Sequence, residues 1–182
     1  MGNSELLEVC NENGVGLGRP ATRESIHKEG LWHRAVIVAL VNKNNEILIQ
    51  KRSKNKEKFP GLWDLSIAGH VPFGHDSLSC AASETMEEIG YMLPKEIQLK
   101  EFRFMTSFRS QLSISDTFLE NQFYDFFVFN CDIPLEKFNP QEDEVEEIKY
   151  ANAFEIKTMA EKGLFHPRTE WINVLYNYIT KF

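Results

Sequence analysis

The alternation of apolar and polar residues predicts a domain that contains both strands and helices. The apolar run at 34–41 predicts a buried strand, and a polar turn leads from it into a second strand that pairs with it. Strand-like patterns after residue 30 occur at 34–41, 46–50, 62–67, 99–105, 122–129 and 147–150. Helical periodicity follows Gly74 and returns at 154–162 and 170–180. Strands on both sides of a helix, with helices at the end, predict an α/β fold in which helices cover a mixed β-sheet.

The first 30 residues have a different pattern from the rest of the chain. An apolar run at 6–10 predicts a strand, and Asn13-Gly14 is a favourable two-residue hairpin turn because both residues tolerate positive φ. The glycines and the proline at 16–20 indicate an irregular segment after that turn. We expect residues 1–30 to form an N-terminal β-hairpin appendage and residues 31–182 to form the main domain.

Composition limits the classes of partner. Hydrophobic residues make up 42% of the chain and charged residues 26%, which is typical of a soluble globular protein. The net charge of −7 argues against nucleic acid as a partner, because an acidic protein repels the phosphate backbone. No apolar run has the length of a membrane span, and the cysteines at 10, 80 and 131 are too widely spaced to indicate a disulfide framework. We therefore expect a soluble, cytoplasmic protein without a membrane partner. Its N-terminal hairpin could either cap the sheet or join two copies into a homodimer.

The helix that follows residue 74 carries the most specific chemical signal of the chain. Asp76 or Ser77 is suited to cap its start, and Gly90 is suited to end it. Three carboxylates recur at i, i+3 and i+4 and therefore share one face, at Glu84, Glu87 and Glu88. Their mutual repulsion is unfavourable unless a cation binds, and clustered oxygen ligands suit Mg²⁺ or Mn²⁺. The alternative interpretation is an acidic helix face that is simply solvated.

Together with its flanking glycines, this helix resembles the Nudix box, the signature of the Nudix hydrolases, written G-x5-E-x7-R-E-U-x-E-E-x-G-U with U an aliphatic residue. Matching residues stand at the correct spacing at Gly69, Glu84, Glu87, Glu88 and Gly90. His75 replaces the first Glu and Ser83 replaces the Arg, so the supporting ion pair is lost while the metal ligands are kept. Thr85 and Tyr91 also stand at aliphatic positions. The resemblance implies a Nudix-type α/β/α sandwich in which the three glutamates hold Mg²⁺ or Mn²⁺ and Glu87 and Glu88 act in catalysis.

A wider set of segments resembles the isopentenyl-diphosphate isomerase-like branch of the Nudix proteins. The resemblance is closer still to the Nudix domain attached to plant dipeptidyl-peptidase-like proteins, and it is carried by residues 33–35, 48–56, 59–64 and 68–70. Isomerases of this branch need a cysteine where this chain has Ala68 and a carboxylate where it has Gln122, which argues against isomerase activity. Their histidine-rich metal site is only partly present, as His33 and His70, because His27 is one residue away from the expected spacing.

The same resemblance assigns roles to residues elsewhere in the chain. Arg52 and Lys56 match basic residues that bind the diphosphate in this branch, although a solvated basic turn is the alternative interpretation. His70 either faces the metal or substrate or has a structural role at its turn. A further carboxylate often acts as general base; Glu144 is the first candidate, and Glu120, which could also contact the substrate, is the second.

The function implied by the resemblance is Mg²⁺-dependent hydrolysis of a phosphoric anhydride bond. The partner would be a small-molecule diphosphate, either a nucleoside diphosphate linked to another group or a related organic diphosphate. The alternative is a non-catalytic module that binds diphosphates but has lost turnover through the changes at His75 and Ser83. An isopentenyl-diphosphate isomerase is the third and least favoured interpretation.

Overall fold

The structure is a computed structural model that describes residues 5–56, 58–65, 67–90, 101–115, 118–130, 132–140, 143–167 and 170–179. Within these ranges the strands are β1 (Leu6–Cys10), β2 (Gly16–Thr22), β3 (His33–Val41), β4 (Ile47–Arg52), β5 (Trp63–Leu65), β6 (Ile67–His70), β7 (Phe102–Ser115), β8 (Phe118–Asn130) and β9 (Val145–Ala151). The helices are α1 (Arg23–Glu29), α2 (Ser77–Ile89), α3 (Ala153–Glu161) and α4 (Glu170–Ile179), with a 3₁₀ turn at Leu135–Lys137. Positions outside the described residues include parts of the predicted elements, at 66, 99–100 and 180, and also Tyr91 and Cys131.

A mixed sheet of seven strands forms the centre of the described structure. Its main path runs β5-β4-β3-β8-β7, while β6 pairs with β3 and β9 pairs with β4. Strands β3 and β8 are parallel, in a register that runs from His33 opposite Gln122 to Val41 opposite Asn130, and the other pairs are antiparallel. The prediction of a mixed sheet in an α/β fold is therefore confirmed.

Alternate residues of β3 face opposite layers of the fold. Ile37 and Ala39 belong to one apolar cluster with residues of α3 and α4, including the buried Trp171. Val36 and Val38 belong to a second cluster with residues of α2. Because successive side chains of a strand point to opposite faces, one apolar strand supplies both cores. The α/β/α sandwich implied by the resemblance is confirmed.

Helix α2 has the ends that the sequence predicts. Asp76 is its N-cap, and the Asp76 side chain accepts a hydrogen bond from the Ser79 backbone N–H at 2.9 Å. Gly90 follows the helix with a φ of 61°, a left-handed conformation that favours glycine. Thr85, which replaces an aliphatic residue of the motif, is fully buried and donates its hydroxyl to the Ala81 carbonyl. That bond satisfies the hydroxyl inside the helix, so the replacement leaves the packing intact.

The N-terminal hairpin is present, but its second half is more regular than the sequence indicates. Residues 16–22, predicted to be irregular, form β2 because their backbone pairs antiparallel with β1. The turn is wider than the predicted two-residue turn, since the Asn11 backbone N–H donates to the Val15 carbonyl. Gly14 has a positive φ of 77°, whereas Asn13 does not take this conformation. The long-range pairing therefore outweighs the local turn signals.

Helix α1 is an element that the hydrophobic pattern does not predict. The Thr22 side chain caps it by accepting from the Ser25 backbone N–H, and Gly30 follows it in the left-handed conformation. Its buried residues are Ile26 and His27. With seven residues, the helix is too short to show a clear apolar periodicity in the sequence.

Two predicted strands differ in extent from the observed ones. The segment predicted as one strand at 62–67 contributes to both β5 and β6, which pair with different neighbours, β4 and β3. Strand β7 continues to Ser115, ten residues beyond the predicted end, because it pairs with β8 along most of its length. Among the described helices, none combines the length and the apolar content needed to cross a membrane.

Candidate active site

A cavity of about 530 Å³ lies where α2, β4, β6 and the segment before β9 come together. Its walls include most of the residues to which the sequence and the resemblance gave a catalytic, metal-binding or substrate-binding role, namely Arg52, Lys56, His70, Glu84, Glu87, Glu88, Glu120 and Glu144. These residues are far apart in the sequence, so their proximity is a result of the fold. The three glutamates of α2 lie on one side of the cavity, and Arg52 at the end of β4 and Lys56 in the following turn lie on the other.

Gly69 allows the Glu84 side chain to reach the cavity. A Cβ atom built at Gly69 would lie 2.1 Å from Glu84 Cδ and 2.2 Å from Glu84 Oε1, which is too close for any real contact. Gly69 belongs to β6, whose pairing with β3 restrains the backbone at this position. The first glycine of the motif therefore leaves room for this carboxylate, which a larger residue at the position would displace.

Burial raises the pKa of two of the three glutamates on α2. For Glu84, burial is the first cause and repulsion from Glu87 the second, and together they raise the pKa to about 7. Burial raises the pKa of Glu88 to about 8, although the Ala68 backbone N–H donates to Glu88 Oε2 at 3.0 Å and opposes the shift. Burial makes the charged form of these carboxyls unfavourable, and a cation bound between them would stabilise that charged form.

The chemistry of these carboxylates fits a divalent metal ion. Oxygen ligands on one helix face suit Mg²⁺ or Mn²⁺, and a cation would offset the charge repulsion within the group. Within the described residues, the oxygens of Glu84, Glu87 and Glu88 do not all lie within 4.8 Å of one another.

The basic residues of the cavity are held by specific contacts. Arg52 donates from Nε and Nη2 to the Lys58 carbonyl, at 3.3 and 3.1 Å, and so fixes the turn that follows β4. Lys56 Nζ forms an ion pair with Glu144, and Lys58 Nζ lies 4.0 Å from Glu120 Oε1. Each of the two candidate general bases is therefore next to a lysine, for which a phosphate group would compete.

Three histidines meet beside the cavity. His27 lies in α1, His33 in β3 and His70 in β6, and each offers a ring nitrogen within 4.8 Å of the other two. Burial lowers the pKa of His27 to about 4 and that of His33 to about 3, so both rings are neutral at pH 7 and keep a lone pair. His27 Nε2 is buried and has no hydrogen-bond partner among the described residues. The histidine group that the sequence indicated as partly present therefore contains all three rings, because α1 brings His27 into place.

The two positions that argue against isomerase chemistry have other contacts in the structure. Ala68 lines the cavity, and its backbone N–H binds Glu88. Gln122 is buried; Tyr124 Oη donates to its Oε1, and its Nε2 lies 3.1 Å from His33 Nε2. Neither side chain can transfer a proton to or from carbon. Both positions therefore support the hydrogen-bond framework of the cavity.

Several residues of the cavity have no role assigned from the sequence. Glu5 and Arg23 reach it from the N-terminal segment. The others that line it include Gln50, Lys58, Phe59, Asp64, Tyr124 and His166. Phe59 has a positive φ of 49° and packs its ring against His166, with ring centroids 4.3 Å apart. No local motif marks Glu5 or Asp64, because only the folded chain brings them to the cavity.

Comparison with known families accounts for this arrangement. Residues 31–172 match the NUDIX domain family. This chain belongs to the Nudix family. The matched region contains α2, the turn after β4 and the strands of the central sheet, but it leaves out the N-terminal hairpin and α1.

Relatives of this Nudix chain include hydrolases and isomerases. It is 35% identical over 161 residues to Nudix hydrolase 3 of Arabidopsis thaliana, which is 87% of this chain but only 20% of that relative's length. It is 29% identical over 173 residues to an uncharacterized Nudix hydrolase of Listeria monocytogenes, covering 95% of this chain and 94% of the relative. An isopentenyl-diphosphate Delta-isomerase of Dinoroseobacter shibae is 28% identical over 149 residues, covering 81% of this chain and 79% of the relative. The predicted resemblance to the Nudix hydrolases and to their isomerase-like branch is confirmed.

Solved structures show the same fold at low sequence identity. The crystal structure of a Deinococcus radiodurans protein superimposes with a TM-score of 0.68 and 18% identity, covering 97% of this chain and 98% of the other. At this identity the likeness concerns the fold alone. The coverage includes the N-terminal hairpin region as well as the family domain.

Proposed function

We propose that this Nudix protein is a divalent-metal-dependent hydrolase that cleaves the diphosphate linkage of a nucleoside diphosphate derivative or a related organic diphosphate. One observation carries the proposal: the acidic residues of α2 line the same cavity as the basic residues at the end of β4 and in the turn after it. A pair of oppositely charged walls suits a substrate that binds as a metal–diphosphate complex. Relatives named as Nudix hydrolases support the same class of reaction.

The residues of the two walls have different tasks in this proposal. Glu84, Glu87 and Glu88 would hold Mg²⁺ or Mn²⁺, which neutralises phosphate charge and makes water easier to deprotonate. Arg52 would face the diphosphate from the end of β4, and its contact with the Lys58 carbonyl holds the following turn in place. Lys56 would exchange its ion pair with Glu144 for a phosphate oxygen.

That exchange suggests how the general base becomes available. Once phosphate binds Lys56, the Glu144 carboxylate is free to take a proton from water. The water oxygen forms a bond to phosphorus while the anhydride P–O bond breaks, so that both products carry phosphate. Glu120, beside Lys58, is the second candidate for the base. Glu144→Gln should lower kcat about 100-fold or more, and Glu120→Gln should lower it less if Glu144 is the base.

A substrate screen tests the proposal. The purified chain is incubated with Mg²⁺ or Mn²⁺ and a panel of nucleoside diphosphate derivatives and prenyl diphosphates, and the products are followed by ³¹P NMR. We expect two phosphate-containing products from at least one substrate, and a large loss of turnover in Glu87→Gln and Glu88→Gln. Unchanged turnover in both variants would reject the site assignment even if activity were found.

The competing proposal is a diphosphate-binding module without turnover. The observation in its favour is that His75 and Ser83, which replace the supporting Glu and Arg of the motif, are both exposed to solvent. Loss of such support typically lowers metal affinity or activity about 10–100-fold. Calorimetric binding of a diphosphate in the presence of Mg²⁺, with no product from any substrate in the panel, would favour the binding module over the hydrolase.

We also propose that the histidine group retains a divalent ion, as its resemblance to the metal site of the isomerase branch implies. Neutral imidazoles are good ligands for ions such as Mn²⁺, and the buried His27 Nε2 without a partner is available for one. Metal analysis after dialysis against Mn²⁺ should give a lower stoichiometry for His27→Ala than for the parent. Equal stoichiometry in both proteins would show that the histidines hold no ion.

A further inference from the structure

Glu5 connects the N-terminal segment to the cavity. It lies immediately before β1 and outside the region that matches the NUDIX family, yet it is one of the residues that line the cavity. The backbone from Glu5 onward is fixed, because Arg23 N–H donates to the Glu5 carbonyl at 3.0 Å and Phe73 N–H donates to the Leu6 carbonyl at 2.8 Å. Neither bond uses the Glu5 side chain, so the carboxylate can be changed without releasing the strand.

The Glu5 carboxylate contacts two other residues of the cavity. Glu5 Oε2 lies 3.5 Å from His70 Nδ1 and 3.7 Å from Arg23 Nη1. The His70 side chain is 13% exposed and that of Glu5 is 32% exposed, so the contact is partly shielded from solvent. Contact with His70 is also the main reason why the pKa of Glu5 is lowered. The charge on Glu5 is therefore directed at the His70 ring.

A carboxylate at Nδ1 has a definite effect on a histidine. If Nδ1 carries the proton and faces Glu5, Nε2 keeps its lone pair and can accept a hydrogen bond or bind an ion. The His70 ring packs against His27 and His33, with ring centroids 5.5 and 5.2 Å away, so its orientation matters to the whole histidine group. Carboxylates in this position fix both the tautomer and the orientation of the ring.

We propose that Glu5 is a positioning residue that holds His70 with Nδ1 protonated and Nε2 available to the cavity. The N-terminal segment then contributes a residue to the site, although the segment lies outside the family domain. The effect of Glu5 on turnover rests on the proposed hydrolase function, whereas its effect on the His70 ring does not.

The tautomer of His70 gives a test that needs no substrate. Long-range ¹H–¹⁵N NMR spectra of histidine-labelled protein report which ring nitrogen is protonated, and the His70 signals are assigned with a His70→Asn variant. We expect the Nδ1-protonated form in the parent protein, loss of that form in Glu5→Ala, and partial retention in Glu5→Gln, whose amide oxygen still accepts a hydrogen bond. Glu8→Ala is the matched control, because Glu8 lies on the same stretch of chain and its carboxylate accepts from the Gly18 backbone N–H instead.

An unchanged His70 tautomer in Glu5→Ala, or an equal change in Glu8→Ala, would overturn the proposal. Where hydrolysis is found, Glu5→Ala should lower kcat about 10–100-fold and change KM by less than about 3-fold. A rise in KM with kcat unchanged would show that Glu5 acts through Arg23 rather than through His70. That result would also overturn the proposal. A tautomer change without hydrolysis of any substrate would leave this proposal standing and reject the hydrolase function.

Discussion

Glu88 couples pH to the stability of the metal-free protein. Its pKa is about 8 in the folded chain, against a reference value of 4.5, so the folded state holds this proton more tightly than the unfolded state. The resulting stabilisation is complete below about pH 4.5 and is lost, by up to about 1.4 kcal/mol per pH unit, as the pH rises to 8. We predict that Glu88→Gln, which cannot ionise, melts above the parent at pH 8.5 in EDTA, and that the difference shrinks toward pH 5.

Thermal melts across this pH range, followed by circular dichroism, measure the difference. Glu161→Gln, an exposed position on α3, is the matched control and should follow the parent at every pH. A constant difference between Glu88→Gln and the parent from pH 5 to 8.5 would contradict the prediction, because it would show that folding does not change the ionisation of this carboxyl over this range.

Asp125 is a residue whose contribution is to stability rather than to the cavity. It accepts hydrogen bonds from Arg34 Nη1, at 3.0 and 3.1 Å, and from the hydroxyls of Ser77 and Ser107. The Asp125 side chain is only 8% exposed, whereas that of Arg34 is 38% exposed, so Asp125→Asn leaves the Arg34 charge without a counter-ion in a partly exposed place. We predict a loss of about 2 kcal/mol in the free energy of unfolding, below the range for fully buried pairs because the Arg34 charge is partly solvated.

Urea unfolding measures this loss. The control is Asp132→Asn, since Asp132 pairs with Lys43 at the surface, where an ion pair contributes little. Equal unfolding midpoints for the two variants would mean that the Asp125 network does not stabilise the fold.

At the scale of elements, Gly69 of β6 leaves room for the Glu84 side chain of α2. Gly69→Ala would force the Glu84 carboxylate away from β6, because the added Cβ would overlap with it at about 2 Å. We predict at least a tenfold loss of kcat/KM and of Mg²⁺ affinity, with little change in melting temperature, since the displaced group is a flexible side chain at a cavity. Steady-state kinetics and Mg²⁺ titration test this. Ser83→Ala, an exposed change on the same helix, is the control, and an equal effect of both variants would refute the prediction.

The elements that the sequence could predict are those with complete local signals. Helix α2 has a capping residue, an amphipathic repeat and a terminal glycine, and both of its ends were predicted to within a residue. Strand β2 has glycines and a proline in place of such signals and exists because β1 pairs with it. Helix α1 is short, and its packing brings His27 to the other two histidines. Long-range pairing and packing therefore decide the parts that the sequence pattern could not.

At the scale of the whole molecule, the cavity also combines features that the sequence predicts with features that only long-range packing decides. Its carboxylates on α2 and its basic residues after β4 follow from a motif and a resemblance in the sequence. The contact of Glu5 with His70, and the pairing of Lys56 with Glu144, depend on how the N-terminal segment and β9 are placed around the sheet. The charge balance of the cavity therefore depends on the whole fold. It can be measured through the effect of a cation on the stability of the folded protein.

Binding of Mg²⁺ should stabilise the folded protein, and the stabilisation should increase with pH. An ion that binds Glu84 and Glu88 must displace their protons, and their pKa values are about 7 and about 8. Both carboxyls hold their protons at pH 6, whereas most of these protons are lost at pH 8.5. The apparent Kd for Mg²⁺ should therefore fall at least about tenfold over this range. The rise in melting temperature at fixed Mg²⁺ should increase accordingly and level off above about pH 8.5.

Melting curves with Mg²⁺ and with EDTA, recorded from pH 6 to 9, separate this effect from the pH dependence of the metal-free protein. The Glu84→Gln, Glu88→Gln double variant should lose the pH dependence of the Mg²⁺ response, because the amides neither ionise nor release protons on metal binding. A Mg²⁺ response of equal size at pH 6 and pH 8.5 in the parent protein would place the ion elsewhere.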